Sequence, residues 1–280
     1  MGHVATERPS LRPWLAKMIE VYEQLQEADD KENADKVKQL MEKTAAGELV
    51  VAFCGHFSAG KSSLINALLG EPLLPSSPIP TSANLVKVKA GRDYVRVFYH
   101  HDAPVEYEPP YDPDLIRAQC RDGETIEWIE ISRETGAIPP GVAILDTPGI
   151  DSTDDAHRLA TESALHLADV VFYVMDYNHV QAELNFQFTK QLIDEGKTVY
   201  LIINQIDKHR EDELPFVAFR ASAAEAFRRW GVEAARLFFL SLKAPAHPHN
   251  EWHELSACLR RLFADKDEWL VRGAEAGLKR

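Results

Sequence analysis

The stretch GHFSAGKSSLINALLG, residues 55–70, follows a short apolar run and leads into a segment whose apolar residues have helical spacing. Its first eight residues match G-x-x-x-x-G-K-[ST], the pattern of a phosphate-binding loop between a strand and a helix. Gly55 and Gly60 allow a tight turn that points backbone N–H groups inward, and the helix start adds partial positive charge. The stretch therefore predicts that Lys61 contacts the β- and γ-phosphates of a nucleotide and that Ser62 joins a Mg²⁺ shell. The alternative is a glycine-rich strand-to-helix turn with an exposed lysine.

Short apolar runs recur along the chain at helix-length spacing. Runs of this kind predict parallel strands covered by helices on both faces, and hence a doubly wound α/β domain. The block 84–131 alternates apolar and polar residues, which predicts an extension of the mostly parallel sheet by antiparallel edge strands. The apolar runs are ELVVAFC (48–54), VAILDT (142–147), VVFYVMD (170–176), TVYLIIN (198–204) and RLFFLS (236–241).

Both ends of the chain have helical periodicity of their apolar residues. The stretch from about 11 to 44 predicts two amphipathic helices hinged near Asp29 and Asp30. The stretch from His253 onward predicts a C-terminal helix. It is preceded by HPHNEWH (247–253), which is typical of a proline-containing loop leading into a helix.

Two more strand ends carry residues suited to a nucleotide. Asp146 in LDTPGI can hold Mg²⁺ through water, and the Gly149 N–H can meet a γ-phosphate. Asn204 and Asp207 in NQID have the N-x-x-D spacing, in which the carboxylate can accept from both N1–H and the exocyclic amine of guanine. This pattern favours GTP over ATP. The segment Ser241-Leu242-Lys243 ends the next strand and could close over the base.

Composition excludes several functions. A formal charge of −13 disfavours a nucleic-acid binder, because phosphate neutralisation needs clustered Lys and Arg. The three cysteines show no CxxC spacing, so neither a disulfide framework nor a zinc site is indicated, and a reducing cytoplasm is expected. No apolar run approaches the length of a membrane span.

Taken in order, GHFSAGKSSLINALLG, LPSSPIPTSA, DTPGID and NQIDKH resemble the dynamin superfamily of GTPases, especially bacterial dynamin-like proteins. The resemblance implies Mg²⁺-dependent hydrolysis of GTP to GDP and phosphate. It gives Thr81 the role of the switch threonine, a Mg²⁺ ligand that positions the attacking water. It makes Ser58, Lys61 and Thr81 the expected catalytic residues.

The resemblance also implies that Ser58 orients a charge-compensating monovalent cation, K⁺ or Na⁺. Ser76 and Pro78 stand where the family commonly has glycines near that cation, so the sequence departs from the pattern there. Gln205 replaces the usual lysine of the guanine motif. Ile150 occupies the position of the water-orienting glutamine of small GTPases, and an aliphatic side chain cannot polarise water.

The resemblance implies that GTPase domains dimerise across the nucleotide and that flanking helices form a neck. The expected organisation is 1–46 as N-terminal neck helices, 47–252 as the GTPase domain and 253–280 as a C-terminal helix joining the neck. Membrane remodelling by fusion or fission would use regions absent from these 280 residues, with peripheral membrane association of a longer protein. The chain would be part of such a protein or a stand-alone relative.

Two other functions fit the motifs. One is a switch GTPase in ribosome assembly or signalling without membrane action, and the other is a nucleotide-dependent dimerisation module with little turnover. A solvent-facing side chain is expected for His56. The full predicted nucleotide site is Gly55, His56, Phe57, Ser58, Ala59, Gly60, Lys61, Ser62, Ser63, Asp146, Gly149, Asn204, Gln205, Asp207, Lys208, Ser241, Leu242 and Lys243, with Ser62, Thr81 and Asp146 as metal ligands.

Overall fold

The fold is taken from a computed structural model that describes residues 10–75, 84–112, 114, 118–120, 125–134, 136–150, 161 and 164–279. The strands in these ranges are β1 Leu49–Gly55, β2 Leu85–Ala90, β3 Tyr94–Tyr99, β4 Val105–Tyr107, β5 Ile126–Arg133, β6 Val142–Asp146, β7 Val170–Asp176, β8 Thr198–Asn204 and β9 Arg236–Phe239. The helices with described bounds are α1 Arg12–Glu27, α2 Lys31–Ala45, α3 Lys61–Leu69, α4 Glu183–Asp194, α5 Phe216–Arg229, α6 Trp252–Ala264 and α7 Lys266–Leu278.

The strands described in these ranges form one sheet in the order β4-β3-β5-β2-β6-β1-β7-β8-β9. β6, β1, β7, β8 and β9 pair in parallel, which confirms the predicted doubly wound parallel sheet. Because parallel strands end at the same edge, the carboxyl ends of β1, β6 and β8 lie side by side there. That edge carries the predicted nucleotide motifs.

The extension of the sheet differs in one respect from the sequence prediction. β2 pairs antiparallel with β6, and β3 pairs antiparallel with β5 and β4, as expected. β2 and β5, however, pair in parallel. The long connection between β2 and β5 allows this pairing, because parallel neighbours need a crossover rather than a tight turn. Alternating apolar and polar residues cannot distinguish the two directions.

The core lies on both faces of the sheet because successive residues of β1 point to opposite sides. Val51 and Phe53 join the apolar cluster beneath α3 and α6, whereas Val50 and Ala52 join the cluster beneath α4 and α5. β1 is buried along its whole length. Each such Val or Phe contributes about 1.5–3 kcal/mol of hydrophobic stabilisation, so this strand is a firm support for the loop that follows it.

The terminal helices form a separate packing unit. Met18 of α1, Leu40 of α2 and Ala274 of α7 make a small cluster apart from the two sheet clusters. The predicted hinge is confirmed: α1 ends at Glu27, and the Asp30 side chain accepts a hydrogen bond from the Asn33 N–H to cap α2. Among the described residues, no helix has the length and apolar character needed to cross a bilayer.

The expected single C-terminal helix is instead two helices, α6 and α7, which are separated by Asp265. Leu255 and Leu259 of α6 belong to the cluster on the sheet, and α7 adds Leu270 to that cluster while it also contacts α1 and α2. The apolar stripe runs through the break, so its periodicity could not reveal it.

A buried ion pair joins the terminal helices to the sheet. Lys43 Nζ on α2 lies 2.5 Å from Asp169 Oδ1, and Asp169 Oδ2 accepts a hydrogen bond from the Val50 N–H at 2.8 Å. Burial raises the pKa of Asp169, while the Lys43 charge and hydrogen bond oppose that rise. The pair lies at the strand ends opposite the phosphate loop.

Candidate functional site

The loop between β1 and α3 adopts backbone conformations that require glycine. Gly55 has a φ of 138° and Gly60 a φ of 92°. A Cβ on Gly55 would lie 1.9 Å from the Val174 carbonyl oxygen, and one on Gly60 would lie 2.5 Å from Asn204 Nδ2. The neighbouring strands β7 and β8 therefore set how tightly this loop turns, and a side chain at either position has no room.

Lys61 begins α3 and is 7% exposed. Its Nζ donates hydrogen bonds to the carbonyl oxygens of Gly55 at 3.0 Å and His56 at 2.8 Å. The alternative of a solvent-exposed lysine is therefore wrong. The ammonium group is held across the loop, beside the start of α3 with its partial positive charge, which is an arrangement suited to an anion.

Ser62 and Asp146 meet next to this lysine. The Ser62 Oγ donates a hydrogen bond to Asp146 Oδ2 at 2.5 Å, and Asp146 is 1% exposed. Burial raises the pKa of Asp146 to about 6, although the Lys61 charge and the Ser62 hydrogen bond act in the opposite direction. Asp146 Oδ1 is buried and has no hydrogen-bond partner in the described part of the chain. A buried, unsatisfied carboxylate oxygen beside a hydroxyl is a donor set that suits a hard divalent cation.

The DTPGI segment lies alongside the loop. The Thr147 N–H donates to the Phe53 carbonyl and the Ile150 N–H donates to the Gly55 carbonyl, each at 3.2 Å. Gly149 is buried between these two anchors. Ile150 packs into the cluster beneath α4 and α5 and is 9% exposed. Its side chain is thus committed to the core.

Asn204 and Gln205 both hold the phosphate loop. Asn204 Nδ2 donates to the Ala59 carbonyl at 2.8 Å, and Gln205 Nε2 donates to the Ser58 carbonyl at 2.9 Å. Gln205 and Ser58 both have positive φ, at 65° and 57°. The neutral Gln205 amide, which replaces the usual lysine of the guanine motif, therefore contacts the loop backbone.

Asp207 is exposed, and its carboxylate is oriented by a neighbour from β9. The Ser241 Oγ donates to Asp207 Oδ1 at 2.6 Å, and Ser241 itself is 2% exposed. The structure thus brings together the ends of β8 and β9 as predicted from the motifs. Lys208 and Lys243 are exposed beside them, and Leu242 is partly buried against the core.

The prediction for His56 is wrong: its side chain is 9% exposed rather than facing solvent. His56 Nε2 forms a hydrogen bond with Asn185 Oδ1 on α4, and the same oxygen accepts from the Tyr173 hydroxyl at 2.7 Å. Asn185 Nδ2 donates to the carbonyls of His179 at 2.6 Å and Val180 at 3.1 Å, which fixes the amide orientation. His56 Nε2 is therefore the donor toward Asn185. The side chain ties the phosphate loop to α4.

The sequence analysis missed Asn185 and Tyr173. Neither belongs to a nucleotide motif, and Asn185 is 129 residues from His56, so no spacing pattern joins them. Of the other predicted loop residues, Ala59 is buried, Phe57 and Ser63 are partly buried, and Ser58 is exposed. Thr81, Ser76 and Pro78 lie outside the described residues.

A phosphate loop of this construction, on a sheet of this order, is the fold of a P-loop GTPase domain. Residues 51–207 match the sequence model of the family described as the Dynamin family. The chain belongs to this family of GTPases.

Relatives agree with this assignment. The chain is 46% identical over 248 residues to Dynamin-like protein A of Bacillus subtilis, covering 89% of this chain and 21% of that protein. It is 24% identical over 213 residues to Dynamin-like protein 1 of Campylobacter jejuni, covering 62% of this chain and 29% of that protein. The chain thus spans between a fifth and a third of the length of these two relatives.

The fold has a counterpart among solved structures. A structure of an oligomerised bacterial dynamin pair, described as a mechanism for long-range sensing and tethering of membranes, matches with a TM-score of 0.60. The match covers 96% of this chain and 54% of that chain at 16% identity, which shows a shared fold.

Proposed function

We propose that this chain is a dynamin-type GTPase domain that binds GTP at the β1, β6 and β8 strand ends, hydrolyses it to GDP and phosphate, and is activated by dimerisation. The observation that carries the proposal is the convergence at one sheet edge of Lys61, the Ser62–Asp146 pair and the Ser241–Asp207 pair. These groups offer oxygen ligands for a metal at the end of β6, a cation for phosphates after β1 and a carboxylate for a base after β8.

For the phosphates, the loop backbone and Lys61 supply the positive charge. The ammonium group would exchange its two loop carbonyls for phosphate oxygens, which form stronger, charge-assisted hydrogen bonds. Ser62 and Asp146 would hold Mg²⁺, with Thr81 as a further ligand. The ion would neutralise charge that develops on the phosphates. The deprotonated form of Asp146 is the one able to hold it.

For the base, Asp207 would accept hydrogen bonds from N1–H and the exocyclic amine of guanine. Adenine has no N1–H donor, so it would leave the carboxylate unpaired. Asn204 would act indirectly by holding the Ala59 carbonyl in place. Lys208, Leu242 and Lys243 would line the remaining rim.

Catalysis requires a group other than Ile150, whose side chain is fixed in the core. Ser58 is exposed and has positive φ on the outer side of the loop, where a second molecule could meet it. We therefore assign activation to dimerisation through the GTPase domains, with Ser58 and Thr81 organising the reaction. A monovalent cation, K⁺ or Na⁺, would compensate charge beside Ser58.

The helices suggest how the nucleotide state would be transmitted. α1, α2 and α7 share one cluster and would form the neck, with Leu270 of α7 also reaching the sheet, whereas the buried leucines of α6 all pack with the GTPase domain. This moves the proposed boundary from 252 to the break at Asp265. Membrane remodelling through parts of a longer protein is proposed from the relatives alone.

Light scattering with GDP and aluminium fluoride tests the proposal. A dimer that forms with this transition-state mimic and dissociates with GDP alone would support activation by assembly. A monomer in both states, together with a specific GTPase activity independent of protein concentration, would favour a switch GTPase. Dimerisation without phosphate release would indicate a dimerisation module.

Base recognition has its own test. Asp207→Asn should weaken GTP binding and favour xanthosine triphosphate, because the amide donates where the carboxylate accepted. His253→Ala, at an exposed position on α6, is the control. Unchanged GTP affinity in Asp207→Asn would remove Asp207 from this role.

A further inference from the structure

Two consecutive residues, Asn250 and Glu251, form hydrogen bonds with the outer edge of the β9 segment. β9 is the last strand of the sheet formed by the described residues, so within this part of the chain one of its edges has no neighbouring strand. The backbone groups of Leu240 point to the inner edge. Its N–H donates to the Ile203 carbonyl, and its carbonyl accepts from the Ile206 N–H. The groups of Phe239 and Ser241 therefore point to the outer edge, since backbone hydrogen bonding alternates along a strand.

Glu251 satisfies the first of these positions. Its backbone N–H donates to the Phe239 carbonyl at 2.9 Å, and its Oε2 accepts from the Phe239 N–H at 3.0 Å. Arg220 of α5 holds the other carboxylate oxygen of Glu251 at 3.0 Å. The outer edge is thus paired at Phe239 by the backbone N–H and the fixed side chain of Glu251.

Asn250 satisfies the second position with its side-chain amide. Its Oδ1 accepts from the Ser241 N–H at 3.3 Å, and its Nδ2 donates to the Ser241 carbonyl at 2.8 Å. One amide therefore pairs with both backbone groups of one residue, as a neighbouring strand would. The Nδ2 also makes longer contacts, each 3.4 Å, with the carbonyls of Ala244 and Pro245.

The residue that Asn250 holds is the one that orients Asp207. With its backbone fixed, Ser241 accepts from the Ala244 N–H at 3.0 Å through its Oγ. That interaction directs the hydroxyl hydrogen of Ser241 to Asp207 Oδ1 at 2.6 Å. A series of hydrogen bonds thus runs from Asn250 through Ser241 to an exposed carboxylate.

We propose that Asn250 is a specificity-determining positioning residue, which fixes Ser241 so that Asp207 presents both carboxylate oxygens to a purine with adjacent N1–H and 2-amino donors. The inference rests on the proposed function. Asn250 does not touch the base. It limits rotation of the Asp207 carboxylate. A base that forms two hydrogen bonds with this carboxylate depends on its orientation more strongly than a base that forms one.

The experiment compares GDP with IDP, which lacks the 2-amino group, by titration calorimetry on the whole chain. In Asn250→Ala, GDP affinity should fall about tenfold, the scale of one or two lost hydrogen bonds. IDP affinity should fall less, so that the GDP-to-IDP preference decreases at least threefold. Equal losses for the two nucleotides, or no change, would overturn the proposal, because a merely structural role weakens both alike. His253→Ala is the matched control and should keep the wild-type ratio.

Ser241→Ala tests the same series of hydrogen bonds through a different residue and keeps the proposal falsifiable if Asn250→Ala does not fold. It removes only the hydroxyl, and the GDP-to-IDP preference should again decrease at least threefold. An unchanged ratio would overturn the proposal. Where both variants fold, adding Asn250→Ala to Ser241→Ala should change the GDP-to-IDP preference less than twofold. If the two substitutions instead lower this preference independently, Asn250 does not act through Ser241. Failure of the proposed function is distinct, because wild type would then show no preference for GDP over ADP.

Discussion

Asn185→Ala should destabilise the fold far more than an ordinary substitution on a helix. Asn185 is fully buried, and its Oδ1 is the acceptor for the Tyr173 hydroxyl and for His56 Nε2. Truncation removes both of these hydrogen bonds, whose donors are buried. A buried group that loses a hydrogen bond costs about 1–3 kcal/mol, and His56 can regain water more easily than the fully buried Tyr173. We expect the free energy of unfolding to fall by about 2–4 kcal/mol.

Thermal and urea unfolding measure this loss. For a chain of this size, the expected change is a decrease in Tm of roughly 3–7 °C. The control is Gln187→Ala on the same helix, because the Gln187 side chain is exposed and donates to Glu183 Oε1 at the surface. Its effect should stay within about 0.5 kcal/mol. If Asn185→Ala cost no more than Gln187→Ala, the buried network would not be holding the phosphate loop to α4.

Two further predictions concern parts of the fold away from the nucleotide edge. The Glu130 pKa is lowered: burial opposes ionisation, but the Tyr94 hydroxyl and nearby lysines outweigh it. A lowered folded-state pKa means that ionised Glu130 stabilises the fold above pH 4.5 and that this contribution is lost as pH falls further. In urea titrations, the stability difference between wild type and Glu130→Gln should therefore shrink below pH 4.5, and a constant difference would contradict this. Gly273→Ala should destabilise by several kcal/mol, because its Cβ would lie 1.8 Å from Asp169 Oδ1, an atom fixed by an ion pair. Gly277→Ala, whose Cβ would press most closely on a terminal methyl of the flexible Leu40 side chain, at 2.4 Å, should cost clearly less in the same thermal scans, and equal costs would contradict this.

The sequence predicted well which motif residues meet at the edge that carries the phosphate loop, because each motif is local. Gly55 to Ser62 form one continuous turn, and Asp146 and Asn204 end buried strands whose parallel pairing brings them to the same edge. Binary patterning was enough to locate these strands to within two residues of their ends. The residues then meet because the sheet is parallel.

Features that depend on distant partners could not be predicted. The His56 side chain is buried against Asn185 of α4, which accepts its hydrogen bond. No residue near His56 in the sequence indicates that acceptor. Asn250 lies in a loop with histidines and a proline, and no local pattern indicates that its amide pairs with the Ser241 backbone. The helix break at Asp265 interrupts no apolar periodicity. In each case tertiary packing, rather than local preference, sets the outcome.

Phosphate release with Mg²⁺ and either GTP or ATP, in wild type and in Lys61→Ala, tests the central claim most directly. Lys61 is the cation that the loop holds across its carbonyls, so the account predicts release from GTP by wild type, little release from ATP and none above background by Lys61→Ala. Folding of the variant is checked by its unfolding temperature. Equal release from GTP and ATP, or unchanged release by a folded Lys61→Ala, would contradict the claim that this edge of the sheet is a GTPase site.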